Sequence, residues 1–113
     1  MRDLNDVRPV RIDATLRLDG AGAGVVSLGP VPMFREWEIE RCSVQCADST
    51  LPTLVIRRNS SFIDGTAATD SNVSTVVVPL VRNETYFLYF TGGTAGGSVT
   101  YSIEGHDYGV RSY

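Results

Sequence analysis

Lysine is absent from this sequence: all 10 basic residues are arginine, set against 13 aspartates and glutamates for a formal net charge of -3. A nucleic-acid binder concentrates positive charge, so this balance argues against one, although folding can still gather a local basic patch. Histidine occurs once, at His106, and cysteine twice, at Cys42 and Cys46. One histidine and one cysteine pair do not supply the four ligands of a tetrahedral zinc site. No apolar run approaches the roughly 18 residues that a membrane-crossing helix needs. The charged N-terminus is followed by no apolar segment of the secretory type. The sequence also lacks any stretch with a helical apolar period and tolerable helix propensity, because glycine and β-branched residues interrupt every window.

What is present suits one small domain. A chain of 113 residues builds one modest core, and a hydrophobic share of 42% with a charged share of 20% is the composition of a folded protein. Exclusive use of arginine fits ion pairs of fixed geometry in contact surfaces, since its planar fork holds carboxylates in one orientation. A base composition favouring arginine is the bland alternative. Cys42 and Cys46 on one extended strand would lie about 13 Å apart, beyond disulfide reach unless the chain turns sharply. Two buried free thiols are expected.

The residues up to Pro9 alternate charged and small apolar groups and read as an arm, 1–9. From Val10 to Leu18, the apolar residues Val10, Ile12, Ala14, Leu16 and Leu18 share one face, and Arg11, Asp13, Thr15 and Arg17 the other, the period of a half-buried strand. Gly20 to Gly24 reads as a hairpin connection to a strand from Val25 to Leu28. The run Gly29-Pro30-Val31-Pro32 breaks that strand and crosses over. Trp37 and Ile39 face one way, and Glu36, Glu38 and Glu40 the other. The apolar side then changes to Cys42, Val44 and Cys46, which calls for a bulge near Arg41 or a switch between sheets.

A loop is expected over Ala47 to Pro52 and a strand over Thr53 to Arg58. A turn at Asn59 to Ser61 leads to a brief strand from Phe62 to Asp64, and Val73 to Val78 reads as a strand buried on both faces and ended by Pro79. Thr85 to Phe90 is apolar on both sides, so it is either central in a packed sandwich or covered by a partner. A second glycine-rich hairpin, Gly92 to Gly97, precedes a last strand with Val99, Tyr101 and Ile103 inward. Eight short strands punctuated by Gly, Pro and Asn predict an antiparallel β-sandwich over 10–105, a jelly roll if there are eight strands and equally an immunoglobulin-like sandwich if there are seven, followed by a tail, 106–113. The glycosylation-like triplets at Asn59, Asn72 and Asn83 read as turns.

Chemistry finds little purchase. The Gly20 to Gly24 run precedes a valine-rich strand where a phosphate loop needs a helix. His106 and Asp107 point to opposite faces if extended, so no serine–histidine–aspartate arrangement is legible. The three glutamates cluster on one strand face and do not oppose each other across a cleft. Asp48, Asp64 and Asp70 lack calcium-loop spacing. No catalytic residue, metal or cofactor is assigned. The expected contact residues are Arg2, Arg8, Glu36, Glu38, Glu40, Tyr108, Arg111 and Tyr113, with the tail tyrosines offering large contact area with a polar end. Trp37 is expected between the sheets.

The segments Val26 to Pro32, Glu36 to Val44, Pro52 to Asn59, Ile63 to Thr66 and Tyr89 to Gly97 resemble small accessory virion proteins of tailed bacteriophages of actinobacteria, across about residues 24 to 105. The resemblance implies a non-enzymatic β-sandwich in many copies on a particle. Its role would be to decorate or cement the capsid, or to serve as a minor tail or baseplate module binding a receptor or glycan. Its partners would be the major capsid protein, other virion proteins and further copies of itself, with no membrane and no specific nucleic acid. Its location would be the virion, after assembly in the host cytoplasm. The relatives often carry proline in the Gly92 to Gly97 turn, where this chain has Ala95.

Overall fold

The alternating run that opens at Val10 belongs to a strand that starts well before it. The computed structural model describes residues 2–46, 52–66 and 71–111. Among them run β1 (Arg2–Arg17), β2 (Gly24–Leu28), β3 (Arg35–Gln45), β4 (Thr53–Arg58), β5 (Ser61–Thr66), β6 (Ser71–Ser74), β7 (Val78–Leu80), β8 (Tyr86–Thr91) and β9 (Ser98–Val110). They form two antiparallel sheets. The larger has the order β1-β9-β3-β6, with β7 also paired to β3, and the smaller has the order β2-β8-β4-β5. The sheets pack together as a β-sandwich. Ile39, Cys42, Val44, Val99 and Ile103 from the larger sheet meet Leu54, Ile56, Tyr86, Leu88 and Phe90 from the smaller. Each of the Val, Leu, Ile and Phe side chains among them, fully withdrawn from water, contributes on the order of 1.5–3 kcal/mol.

Among the described residues, the expected arm and tail are strand for most of their length. Residues 2–9 continue β1, and His106 to Val110 continue β9, each pairing with the other from Arg2↔Val110 through Pro9↔His106. Pro9 is tolerated because β1 is an edge strand, where a missing donor costs least. The expected bulge is present: the β3–β9 register shifts between Ile39 and Arg41. It returns Cys42 and Val44 to the core side that Ile39 already faces.

Three expectations need correction. The strand expected over Val73 to Val78 and buried on both sides is two strands, and Val73, Val76 and Val77 are exposed. β6 pairs β3 beyond the bulge and β7 pairs it before the bulge, so the chain leaves the sheet where the register breaks. Pro79 accordingly lies within β7, opposite Glu38, and does not end a strand. The two glycine-rich segments, finally, are not hairpins, because each carries the chain from one sheet to the other. They lie against each other: Gly93 N–H donates to Gly22 O at 3.0 Å, Gly96 N–H to Asp19 O at 3.0 Å and Leu18 N–H to Gly97 O at 2.7 Å. A side chain at Gly22, which also has a positive φ of 73°, would collide with the Gly93 carbonyl. Close backbone approach explains the glycines better than flexibility does. The true hairpin is β4–β5, with Asn59 at a φ of 52° in its turn. Asn83 is likewise a turn residue, at a φ of 71°, whereas Asn72 lies in β6.

Candidate binding faces

The residues expected to reach a partner are largely occupied within the chain. β1 lays Arg2 across the outer face of β3, where its guanidinium donates to Glu36 at 2.8 Å and Glu38 at 3.0 Å. The same group sits 4.4 Å from the centre of the Tyr108 ring. The Glu36 hydrogen bond is the main reason that Arg2 holds its proton even more firmly than usual, with Glu38 adding to it. Arg8 pairs with Asp107 at 3.4 Å, Arg111 with Asp3 at 3.5 Å, and Glu40 with His106. Tyr113 lies outside the described residues, as do Asp48 and Asp70 and all of the Ala47 to Pro52 loop but Pro52. The strand pairing of the two chain ends brings this network together, and periodicity before Val10 gave no sign of that pairing.

On the opposite, core-side face of the same strands, Arg35 bridges Asp107 and Asp6, at 2.7 Å each. Its hydrogen bond to Asp107, then that to Asp6, raises its pKa further. Sequence reading gave Arg35 no role. The signal was available in kind, as an arginine beginning a strand whose register places it beside the aspartate of β9. It was usable only once β9 was known to extend past Gly105.

Among the described residues, no element covers the outer face of the smaller sheet. Side chains of β8 alternate between Tyr86, Leu88 and Phe90, which are buried, and Phe87 and Tyr89, which point outward. Strand register builds two rows from them: Val25, Tyr89, Val55 and Gly65 across one, and Ser27, Phe87, Arg57 and Phe62 across the other. β8 is thus central in its sheet, yet its second apolar face is left open. The Phe87 and Tyr89 rings are 5.6 Å apart and tilted by 32°, and the Arg57 guanidinium lies 5.8 Å from the Tyr89 ring centre. At the β5 edge, Phe62 is 62% exposed and its ring leans over Gly65. A shallow depression on this face is lined by Val55, Arg57, Asn59, Ser60, Phe87, Tyr89 and Thr91. Phe87 and Tyr89 were legible as an apolar strand face. Val25, Val55 and Phe62 were not, because joining them to it requires the register.

Several polar and titratable groups are engaged within the chain. Cys42 and Cys46 are both free and buried. Burial pushes the Cys42 thiol up to about 11, partly offset by its hydrogen bond with Tyr86, and the Cys46 thiol donates to Ser98 O at 3.0 Å. His106 is a half-exposed strand residue that meets Glu40, while Asp107, on the other face, holds Arg35. Asp64 accepts from the Ser74 hydroxyl at 2.6 Å. Trp37 packs against the core with its indole N–H buried and unpaired. Among the described residues, no group of three or more His, Cys, Asp or Glu side chains is placed to hold a metal ion. No helix of the described residues is long and apolar enough to cross a membrane. No family model matches the chain, and no curated protein matches it either.

Proposed function

We propose that this domain is a non-enzymatic structural protein of a virion, one that docks on the assembled capsid and reinforces it. Its place would be the particle, after assembly in the host cytoplasm, and its partner the major capsid protein. The observation that carries the reading is the uncovered apolar face of the smaller sheet, with Val25, Val55, Phe62, Phe87 and Tyr89 side by side. Contiguous exposed apolar surface of this kind marks interaction sites. Binding only to the assembled lattice would stabilise that state by mass action. The sequence resemblance to accessory virion proteins of actinobacterial phages supports the same role.

Strand order supports a finer reading of the fold as a jelly roll. The orders β1-β9-β3-β6 and β2-β8-β4-β5 follow the jelly-roll winding if β6 and β7 share one of the eight strand places. Jelly rolls recur in viral capsid and lectin domains, although a fold by itself does not set a function.

The second reading, a tail module that binds a glycan, is favoured by the polar rim of Arg57, Asn59 and Ser60 beside the two rings. The tilt between those rings and the seat of Arg57 near Tyr89 weigh against a flat sugar platform. Copy number and position in purified particles separate the readings. Lattice-wide occupancy is expected, whereas a few copies confined to the tail would reject decoration. Phe62→Ser is expected to lower binding to particles stripped of the protein while changing stability by no more than about 0.5 kcal/mol, as for an exposed site. Unchanged binding in this variant would remove the face from the proposal.

A further inference from the structure

β1 is the edge strand of the larger sheet, with β9 on one side and no described strand on the other. Long open edges are normally blunted by bulges, proline or inward-pointing charge. The irregularity in β1 lies between Asp3 and Val7, and from Val7 to Arg17 the pairing with β9 runs without a break. Within that run, the core-side residues Val10, Ile12 and Leu16 are apolar and only partly buried, because they pack on the core from its flank. From Val10 onward, past Pro9, the edge therefore combines regular backbone with apolar surface that no described element covers.

We infer that this edge recognises a second copy of the same chain, β1 against β1 in antiparallel register about a two-fold axis through Ile12. The sequence around Ile12 is complementary to its own reverse. Arg11 faces Asp13 of the second copy, and Asp13 faces the second copy's Arg11. Both side chains are exposed, at 64% and 56%. Neighbouring axes fail on charge: one through Arg11 opposes two guanidiniums, one through Asp13 opposes two carboxylates, and one through Ala14 sets Arg11 against Arg17. An axis through Val10 makes no opposite-charge pair within the regular run from Val7 to Arg17. Opposite charges directly across a strand pair stabilise it, and like charges do the reverse.

On the core side, the chosen register packs Ile12 on Ile12 and Val10 on Ala14, covering the surface that the flank leaves open. Pro9 falls opposite Thr15, off the axis, so its missing donor removes at most one ladder bond per copy. Arg11 already meets its own Asp13 at 3.0 Å and Glu104 at 3.2 Å. Its five donors accommodate a further carboxylate. The contact is isologous and closes at two copies. An axis perpendicular to the sheet leaves both smaller-sheet faces pointing the same way, so the pairing stands apart from whatever those faces bind.

Sedimentation equilibrium of the full chain over a wide concentration range tests the inference. A reversible dimer is expected. Arg11→Glu and Asp13→Arg each place like charges across the axis and should weaken it at least about tenfold. An equimolar mixture of the two variants restores opposite charges at both positions and should dimerise again. Circular dichroism checks that each variant is folded. A chain that stays monomeric throughout, a dimer indifferent to both substitutions, or a mixture that stays monomeric would each overturn the assignment. Particle binding does not enter this readout, so its outcome is independent of the proposed virion role.

Discussion

Gly105 shows how a single side chain, or its absence, sets the register of the larger sheet. It is buried opposite Ile39, next to the bulge, and a Cβ there would overlap the Glu38 carbonyl oxygen. Gly105→Ala should therefore destabilise the fold by about 2 kcal/mol or more, the scale of forced overpacking, as read from urea denaturation. Nothing in the sequence marked this glycine, which reads as the end of a domain because a polar stretch follows it. The cysteines were more legible, since their spacing on an extended strand argued for separate thiols. Burial and the raised Cys42 pKa predict that a thiol reagent at pH 8 leaves Cys42 unlabelled in the native protein and modifies it after denaturation.

At the scale of elements, the zipping of the start of β1 to the end of β9 depends on ion pairs more than on apolar burial. Arg35 and Asp107 are the best shielded, with side chains 14% and 18% exposed. Arg35→Ala should cost about 2 kcal/mol and Arg2→Ala about 1 kcal/mol, since exposed pairs are worth less than sheltered ones. Thermal denaturation of the two variants checks the order. Carboxylates at this scale also set the acid limit. The Asn5 N–H and then Arg111 hold Asp3 below the ordinary aspartate value of 3.8, and the Ser102 hydroxyl and then Arg11 do the same for Asp13. A depressed folded-state pKa gives stability that is fully present above the unfolded value and lost as pH falls through the folded one. Stability measured against pH should thus hold down to about the unfolded value and decline below it. A flat profile through that range would show that these groups do not contribute. The bulge in β3 was legible because one strand changed its apolar side. The division of β6 from β7 was not, because β-branched composition cannot show that a pairing partner is broken.

Considered whole, the molecule has two sheets whose outer faces differ in kind. The outer face of the larger sheet is polar and charged, lined in part by Arg11, Asp13, Arg41, Ser43, Gln45, Thr100, Ser102 and Glu104, and the smaller sheet turns an apolar face outward. Two-residue periodicity was enough to predict an all-β sandwich, because alternation reports which face is buried. It does not report which strands are neighbours, and both the ion network and the apolar band exist only through neighbours distant in sequence. For this reason most of the contact residues chosen from sequence, such as Arg2, Glu36 and Tyr108, turn out to hold the chain's own ends together.

The pairing of β1 with β9 also fixes the order in which this protein can form. Arg8 and Asp107, which meet in that ladder, are 99 residues apart in the chain. Closing so wide a loop costs entropy before any contact repays it, which places such topologies among slow folders, on the order of milliseconds to seconds. As the chain is synthesised, β1 emerges before every strand that separates it from β9, its partner. During that interval its strand-forming segment lacks the partner it has in the folded sheet, and an unpaired strand edge of this kind is open to pairing with other nascent chains.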